Sequence, residues 1–389
     1  MEHYLNQSRD ASLTLFITAG NLDQSFDETG HNSDEFVESN LDYLKLHSWD
    51  ALNILFLSSR RWKDVTINLS WAVFIEMPYC IDLNDHRFDQ LECLILDWHG
   101  QGEDGGEDGD NFVSLFTSKA QSPRLRSLSL SEYEPQGNLP FCHITTLGPM
   151  RGWSTSGMID VLTNCHNVDS FTIILDKGHG TGIALQPLLI KARSLDIEGY
   201  FSSHQFQWIE LLNSLIATQL ENLTLRRLAG DHWQPSLLDF ISRSRCPLQT
   251  LTLCDDIYID QYLLQLLSLV STLISLTMKV YAIDDDLFNG LVATAESSII
   301  PRLQQFDLVY SYYGQTENGH LDNTVLCILA MAESQLQSSS SVGFLEQFSV
   351  KYDVLASSSW DLNSESLLRL RRLNEAGMKA SITVVRTLT

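Results

Sequence analysis

Basic residues are scarce. Lys and Arg total 25 against 49 Asp and Glu, a formal net charge of −24. A nucleic-acid binder needs a basic footprint to displace counterions from phosphate, and an anionic membrane surface makes the same demand, so both partner classes are excluded. No apolar run approaches the roughly 20 residues that cross a bilayer. The opening MEHYLNQSRD has no basic stretch leading into an apolar one, so no secretory signal is expected. Paired cysteines are missing as well. The seven are Cys80, Cys93, Cys142, Cys165, Cys246, Cys254 and Cys327, an odd number with no Cys-x-x-Cys. A disulfide framework or zinc ribbon needs close pairs. Free thiols in a reducing, intracellular compartment follow, cytoplasmic or nuclear.

What the chain does have is apolar content, 44% of 389 residues, enough for a large core. It also has a repeat. The pattern apolar-x-x-apolar-x-apolar is clearest in LECLIL at Leu91, LRSLSL at Leu125, LENLTL at Leu220, LQTLTL at Leu248 and LISLTM at Leu273. Weaker copies are WKDVTI at Trp62, VDSFTI at Val168, ARSLDI at Ala192, LQQFDL at Leu303 and LEQFSV at Leu345, with partial ones at Ile144 and near Leu13. From Leu91 the copies start 34, 19, 24, 24, 28, 28, 25, 30 and 42 residues apart, mostly in or near the 20–29 of leucine-rich repeats. Each copy ends apolar-polar-apolar, the period of a strand. Helical spacing fills several gaps, as in SGMIDVLTNC (Met158, Ile159 and Leu162 on one face) and PSLLDFISRSR (Leu237, Leu238 and Ile241, starting at Pro235). Parallel strands need crossovers of about a dozen residues, which these gaps supply. The expected fold class is α/β, a leucine-rich-repeat-like solenoid: an irregular horseshoe with a parallel sheet on the concave face and helices on the convex face. The turn asparagine common in such repeats is out of register here, which predicts a loose curvature.

Two segments stand apart. Residues 1–50 hold ten acids and two bases, and GEDGGEDGD at 102–110 holds five acids. Residues 1–40 read as an acidic, partly ordered arm, and 41–389 as one repeat domain. SQLQSSSSVG at 334–343 reads as a flexible loop.

The segments SSRRWKDVTINLS (58–70), PRLRSLSLSEYE (123–134), MIDVLTNCHNVDSFTI (158–173), LLDFISRSRCPLQTLTL (237–253), IIPRLQQFDL (299–308) and LLRLRRLNEAGMKASI (367–382) come in an order that resembles fungal F-box proteins of the basidiomycete type. In those proteins a leucine-rich-repeat-like region follows an N-terminal F-box and recognises substrates for a ubiquitin ligase. The resemblance runs from about residue 11 and implies a protein-interaction module. No Leu-Pro-x-Glu-type opening of an F-box stands here, so docking on the cullin adaptor is not expected of this chain.

Catalytic motifs fail on inspection. GWSTSG at 152–157 lacks the glycine two residues after Ser154 that a nucleophile elbow needs, and reads as a helix cap. KGHGTG at 177–182 lacks the Lys-Ser/Thr of a phosphate loop and reads as a turn. The acidic 102–110 loop lacks the alternating ligands and closing Glu of a calcium loop. Cys142-His143 and Cys165-His166 would hold zinc only by converging. The expectation is therefore no enzyme, no cofactor and no metal, but a protein partner on the concave face. A stand-alone scaffold outside any ligase remains a second class, and a hydrolase with a loop-borne site a third.

Strand parity gives the face. If the pattern's last two apolar residues point inward, the polar residues between and after them point to the concave side. That assigns Ile95, Asp97, Ser129, Ser131, Asp196, Glu198, Thr224, Arg226, Thr252, Cys254, Thr277, Lys279, Asp307 and Val309, with Tyr133, Tyr200 and Tyr281 just beyond. Tyr and Arg are favoured interface anchors, so the expected partner-binding set is Asp196, Glu198, Tyr200, Arg226, Lys279 and Tyr281.

Overall fold

A computed structural model describes residues 11–19, 49–70, 86–99, 113–131, 141–151, 153–175, 187–199, 205–227, 233–258, 261–282, 285–292, 299–311, 318–337, 345–355 and 361–387. The chain forms two compact units, Met1–Thr181 and Gly182–Thr389.

In the first unit the repeat copies become strands. β1 (Leu13–Ala19), β2 (Trp62–Ser70), β3 (Cys93–His99), β4 (Ser127–Ser131), β5 (Thr146–Arg151) and β6 (Ser170–Leu175) lie side by side in chain order, every neighbouring pair parallel. The register matches each apolar position with its counterpart. Val65, Leu94, Leu128, Leu147 and Phe171 form one buried ladder, and Ile67, Leu96, Leu130, Met150 and Ile173 the next. β1 lies inside the segment read as an arm. It is the sheet's first strand, and Arg61 Nε donates to the Ala11 carbonyl at 3.0 Å.

Helices α1 (Trp49–Phe56) and α2 (Thr155–Asn164), with helical residues 113–117, supply the second layer. Phe56, Trp62, Phe88 and Phe116 pack together, with ring centroids 4.7 Å apart for Phe56–Trp62 and Phe88–Phe116. The Ser154 side chain caps α2 by accepting the Gly157 N–H at 3.0 Å. That is the helix cap expected of GWSTSG. Within α2, Val161 is buried beside Met158 and Leu162, whereas Ile159 is only half-buried.

The second unit alternates strand and helix almost without exception. Its elements are β7 (Leu188–Ile190), β8 (Ser194–Gly199), α3 (Gln205–Ser214), β9 (Leu215–Ala217), β10 (Asn222–Arg226), α4 (Trp233–Ser244), β11 (Thr250–Tyr258), α5 (Gln261–Leu269), β12 (Ser275–Ala282), α6 (Asp285–Leu291), β13 (Gln305–Ser311), α7 (Asn318–Gln337), β14 (Gln347–Leu355), α8 (Ser364–Glu375) and β15 (Lys379–Thr387). β8, β10, β11, β12, β13, β14 and β15 form a parallel sheet in that order, and β7 and β9 pair separately.

Leu195, Leu223, Leu251, Leu276, Phe306, Phe348 and Ala380 make one register-matched ladder, all buried. Ile197, Leu225, Leu253, Met278, Leu308 and Val350 make the next, also buried. The helices bury Leu237, Phe240, Leu267, Phe288 and Leu329. In α4, Phe240 replaces the expected Leu238, which is half-buried, and the helix begins at Trp233 before Pro235. α7 runs on through Gln337, so Ser334–Gln337 are helical and not the start of a loop; a helix is cheap to propagate once nucleated, and Leu336 extends its apolar pattern.

One joint recurs in both units. Two successive N–H groups donate to a single carbonyl of the preceding repeat: Arg126 and Ser127 to Glu92, Thr145 and Thr146 to Arg126, Gln249 and Thr250 to Glu221, Ile274 and Ser275 to Gln249, and Gln304 and Gln305 to Ile274. The carbonyl and the donors fall at the same positions of successive copies, so the backbone repeats with the side chains.

Candidate partner-binding face

The second unit's sheet carries its polar residues on the side opposite the apolar ladders. β8 aims Asp196 and Glu198 one way because they are two apart, and parallel register sets Thr224 beside Asp196 and Arg226 beside Glu198. Arg226 reaches diagonally, its Nη2 3.0 Å from Asp196 Oδ2. Arg227 Nη1 lies 2.9 Å from Glu198 Oε1. These pairs are partly solvated, and such pairs contribute about 0–1 kcal/mol. Their main effect is to hold the side chains in place. Burial pushes the Asp196 carboxyl above its usual value; Arg226 pulls it down and Glu198 pushes it up.

Sequence parity missed Arg227, which should point into the core. Its backbone is left-handed, φ 52, and its N–H donates to the Cys254 carbonyl at 2.9 Å. That twist at the strand end turns the side chain back to the polar face. A double Arg at the close of a pattern was the only available signal. Parity also extends to β14, whose Ser349, Lys351 and Asp353 match Asp307, Val309 and Ser311 in register. Lys351 Nζ sits 2.8 Å from Asp353 Oδ1. These residues follow from the same alternation in LEQFSV and extend the polar face beyond the expected set.

Of that set, the structure brings Asp196, Glu198 and Arg226 together and places Lys279 on β12 on the same face, half-buried beside Val309. Tyr281 has its backbone in β12, but its side chain is outside the described residues, as are Tyr200 and Tyr133. In the first unit, Ile95 and Asp97 are half-buried as parity requires. Ser129 and Ser131 are not exposed as expected; they retain 3% and 8% of their surface. The register of β5 slips between Leu147 and Met150, and this irregular stretch packs over the small side chain of Ser129, whose hydroxyl donates to the Pro149 carbonyl at 3.4 Å.

No protein-family model matches the chain, and none of the curated proteins compared with it matches either.

The remaining sequence candidates fall elsewhere. Cys165 is buried, which pushes its thiol up to about 12, so it has no thiolate to offer near neutral pH. Cys142 is exposed. Among the described residues no three metal-capable side chains gather, and no helix is long and apolar enough to cross a membrane. The 102–110 and 177–182 segments lie outside the described residues. Chemically, the face offers ion pairs, hydroxyls and amides spread over successive parallel strands, an arrangement for contact across an area.

Proposed function

We propose that the chain is a non-catalytic interaction module, a leucine-rich-repeat-like solenoid related to the substrate-recognition region of F-box proteins, binding a protein partner on the polar face of its second unit. The observation that carries this reading is the charge of that face. Among the described side chains of that face, Asp196, Glu198, Asp307 and Asp353 stand beside Arg226, Arg227, Lys279 and Lys351, a mixture of both signs in a chain of net charge −24. Like charges facing each other across an interface are costly, and a hydrogen-bonding patch that carries both signs offers a partner complementary contacts. Serines and threonines at Ser194, Thr224, Thr252, Thr277 and Ser349 fill the space between the charges.

The test is photo-crosslinking in cells from Thr252 and Thr277, with Gln265 on the exposed side of α5 as the control position. Crosslinks to one protein from the first two positions and not the third are expected. Arg226→Glu combined with Lys279→Glu should weaken that purified complex by about tenfold or more. Equal crosslinking from Gln265, or indifference to the reversals, would remove the face assignment. Mixing the chain with purified cullin adaptor separates the ligase context from a stand-alone scaffold, and no complex is expected.

A further inference from the structure

In each ion pair described on the second unit's polar face, the base stands further out than the acid. Side-chain exposure is 46% for Arg226 against 24% for Asp196, 39% for Arg227 against 20% for Glu198, and 44% for Lys351 against 18% for Asp353. The carboxylates are the covered partners, and the guanidinium and ammonium groups form the outer layer. Asp307 and Lys279, the other charged side chains described on this face of β8 to β14, are both half-buried. Among the described side chains, a body that touches the face therefore meets more base than acid.

The bases also repeat. Arg226, Lys279 and Lys351 each follow the second apolar ladder by one residue, after Leu225, Met278 and Val350. At that position the strands between them carry the uncharged Cys254 and Val309. Bases thus stand on the alternate strands β10, β12 and β14. Neighbouring strands lie about 4.8 Å apart, so the bases recur about every 9.6 Å across the sheet. A polyproline II segment has three residues per turn and rises about 3.1 Å per residue, so acids three apart fall on one side of it, about 9.3 Å from each other. Other conformations fit less well. A β-strand repeats one face every two residues, about 6.7 Å. An α-helix repeats one face about every seven residues, about 10.5 Å, and drifts from the row. One step along the strands, Thr224, Thr252 and Thr277 stand side by side in register. A polyproline II backbone makes no internal hydrogen bonds, and this row of hydroxyls offers donors to its carbonyls.

Building on the face assignment above, we propose that the partner presents an extended acidic segment in polyproline II conformation, laid across the strands with carboxylates at every third residue against Arg226, Lys279 and Lys351. Asp196 and Asp353 keep their places, because a guanidinium has five N–H donors and an ammonium three. At about 150 mM salt the Debye length is about 8 Å. The bases next to the segment therefore decide the contact, and the −24 of the whole chain does not.

A peptide array read with the purified full chain at about 150 mM sodium chloride tests it. Immobilised peptides with Gly-Ser ends carry Glu-Pro-Pro-Glu-Pro-Pro-Glu, the same residues as Glu-Glu-Glu-Pro-Pro-Pro-Pro, or Lys-Pro-Pro-Lys-Pro-Pro-Lys. The first should retain about fivefold more chain than either of the others. Lys279→Glu, its fold checked by circular dichroism, should lose that preference and favour Glu-Pro-Pro-Lys-Pro-Pro-Glu. Failure to retain the chain on the first peptide overturns the proposal. So does equal retention on the shuffled peptide, or indifference to Lys279→Glu. The crosslinks from Thr252 and Thr277 keep the two readings apart. A partner captured there by a chain that ignores the spaced acids ends this proposal and leaves the face assignment standing, whereas loss of the crosslinks removes the face itself.

Discussion

His143 shows what one residue can cost a fold. It is 8% exposed, at the end of a short turn of 3-10 helix before β5, and both ring nitrogens are buried without a hydrogen-bond partner among the described residues. Burial lowers its pKa below 6.5, and the positive charges of Arg126 and Lys119 lower it further. The folded chain therefore holds this ring neutral where the unfolded chain would protonate it. Stability rises with pH wherever the unfolded state binds more protons. The His143 contribution is thus fully present above pH 6.5, is lost as the pH falls below it, and levels off once the folded ring also titrates. Replacing His143 with Phe removes the proton and keeps a ring. Urea unfolding at a series of pH values between 6.5 and about 5 should show a shallower loss of stability in the variant. Parallel slopes for the two proteins would mean that the ring is not the group responsible.

At the scale of elements, two glycines with positive φ separate backbone strain from steric exclusion. Gly148 in β5 has φ +122, and a Cβ there would lie 2.1 Å from the Thr172 carbonyl oxygen of the neighbouring strand. Gly377, between α8 and β15, has φ +95, and a Cβ there would meet nothing within 4 Å. Gly377→Ala should cost about 1–2 kcal/mol from backbone strain alone. Gly148→Ala adds a backbone collision that no side-chain rotation relieves, and should cost upwards of about 3 kcal/mol. Denaturant midpoints rank the two, and equal costs would sink the steric account. Gly377 also explains a strand the pattern did not reveal. It occupies the first apolar position of the β15 copy, GMKASI, which therefore lacks the opening leucine of LEQFSV; the register still repeats and the Lys379 N–H donates to the Glu346 carbonyl, whereas the Met378 N–H turns back to the Leu373 carbonyl. β7 and β9 were illegible for a different reason. Three residues are too few to display a period of two. The main strands were legible because two buried ladders demand apolar residues at fixed offsets in every copy. Side-chain direction at Arg227 was not, because it depends on a single dihedral angle.

For the whole molecule the dominant electrostatic quantity is the surplus of acid. Of the net charge of −24, −13 falls in residues 1–50 and 102–110, and the rest is spread over the remaining chain. Like charges held within a folded volume repel more than along an extended chain, so the surplus disfavours the compact state. Salt acts on two opposed effects. It screens the repulsion, with a Debye length of about 30 Å at 0.01 M falling to about 8 Å at 0.15 M. It also screens partly exposed ion pairs such as Asp196–Arg226 and Lys351–Asp353, each contributing about 0–1 kcal/mol. Pairs of that kind are short-range and already weak, whereas the repulsion sums over every unpaired carboxylate. The repulsion should therefore dominate, and raising sodium chloride from about 10 mM to about 150 mM should raise the thermal midpoint, most steeply at the low end where the screening length changes most. Sodium bromide at equal ionic strength should act alike, because screening depends on charge and concentration and not on the identity of the anion. A midpoint that falls with salt would mean that the ion pairs on the polar face carry more of the stability than their solvation allows. In that case the face would be a structural brace, and its claim to be the surface kept for a partner would lose its electrostatic support.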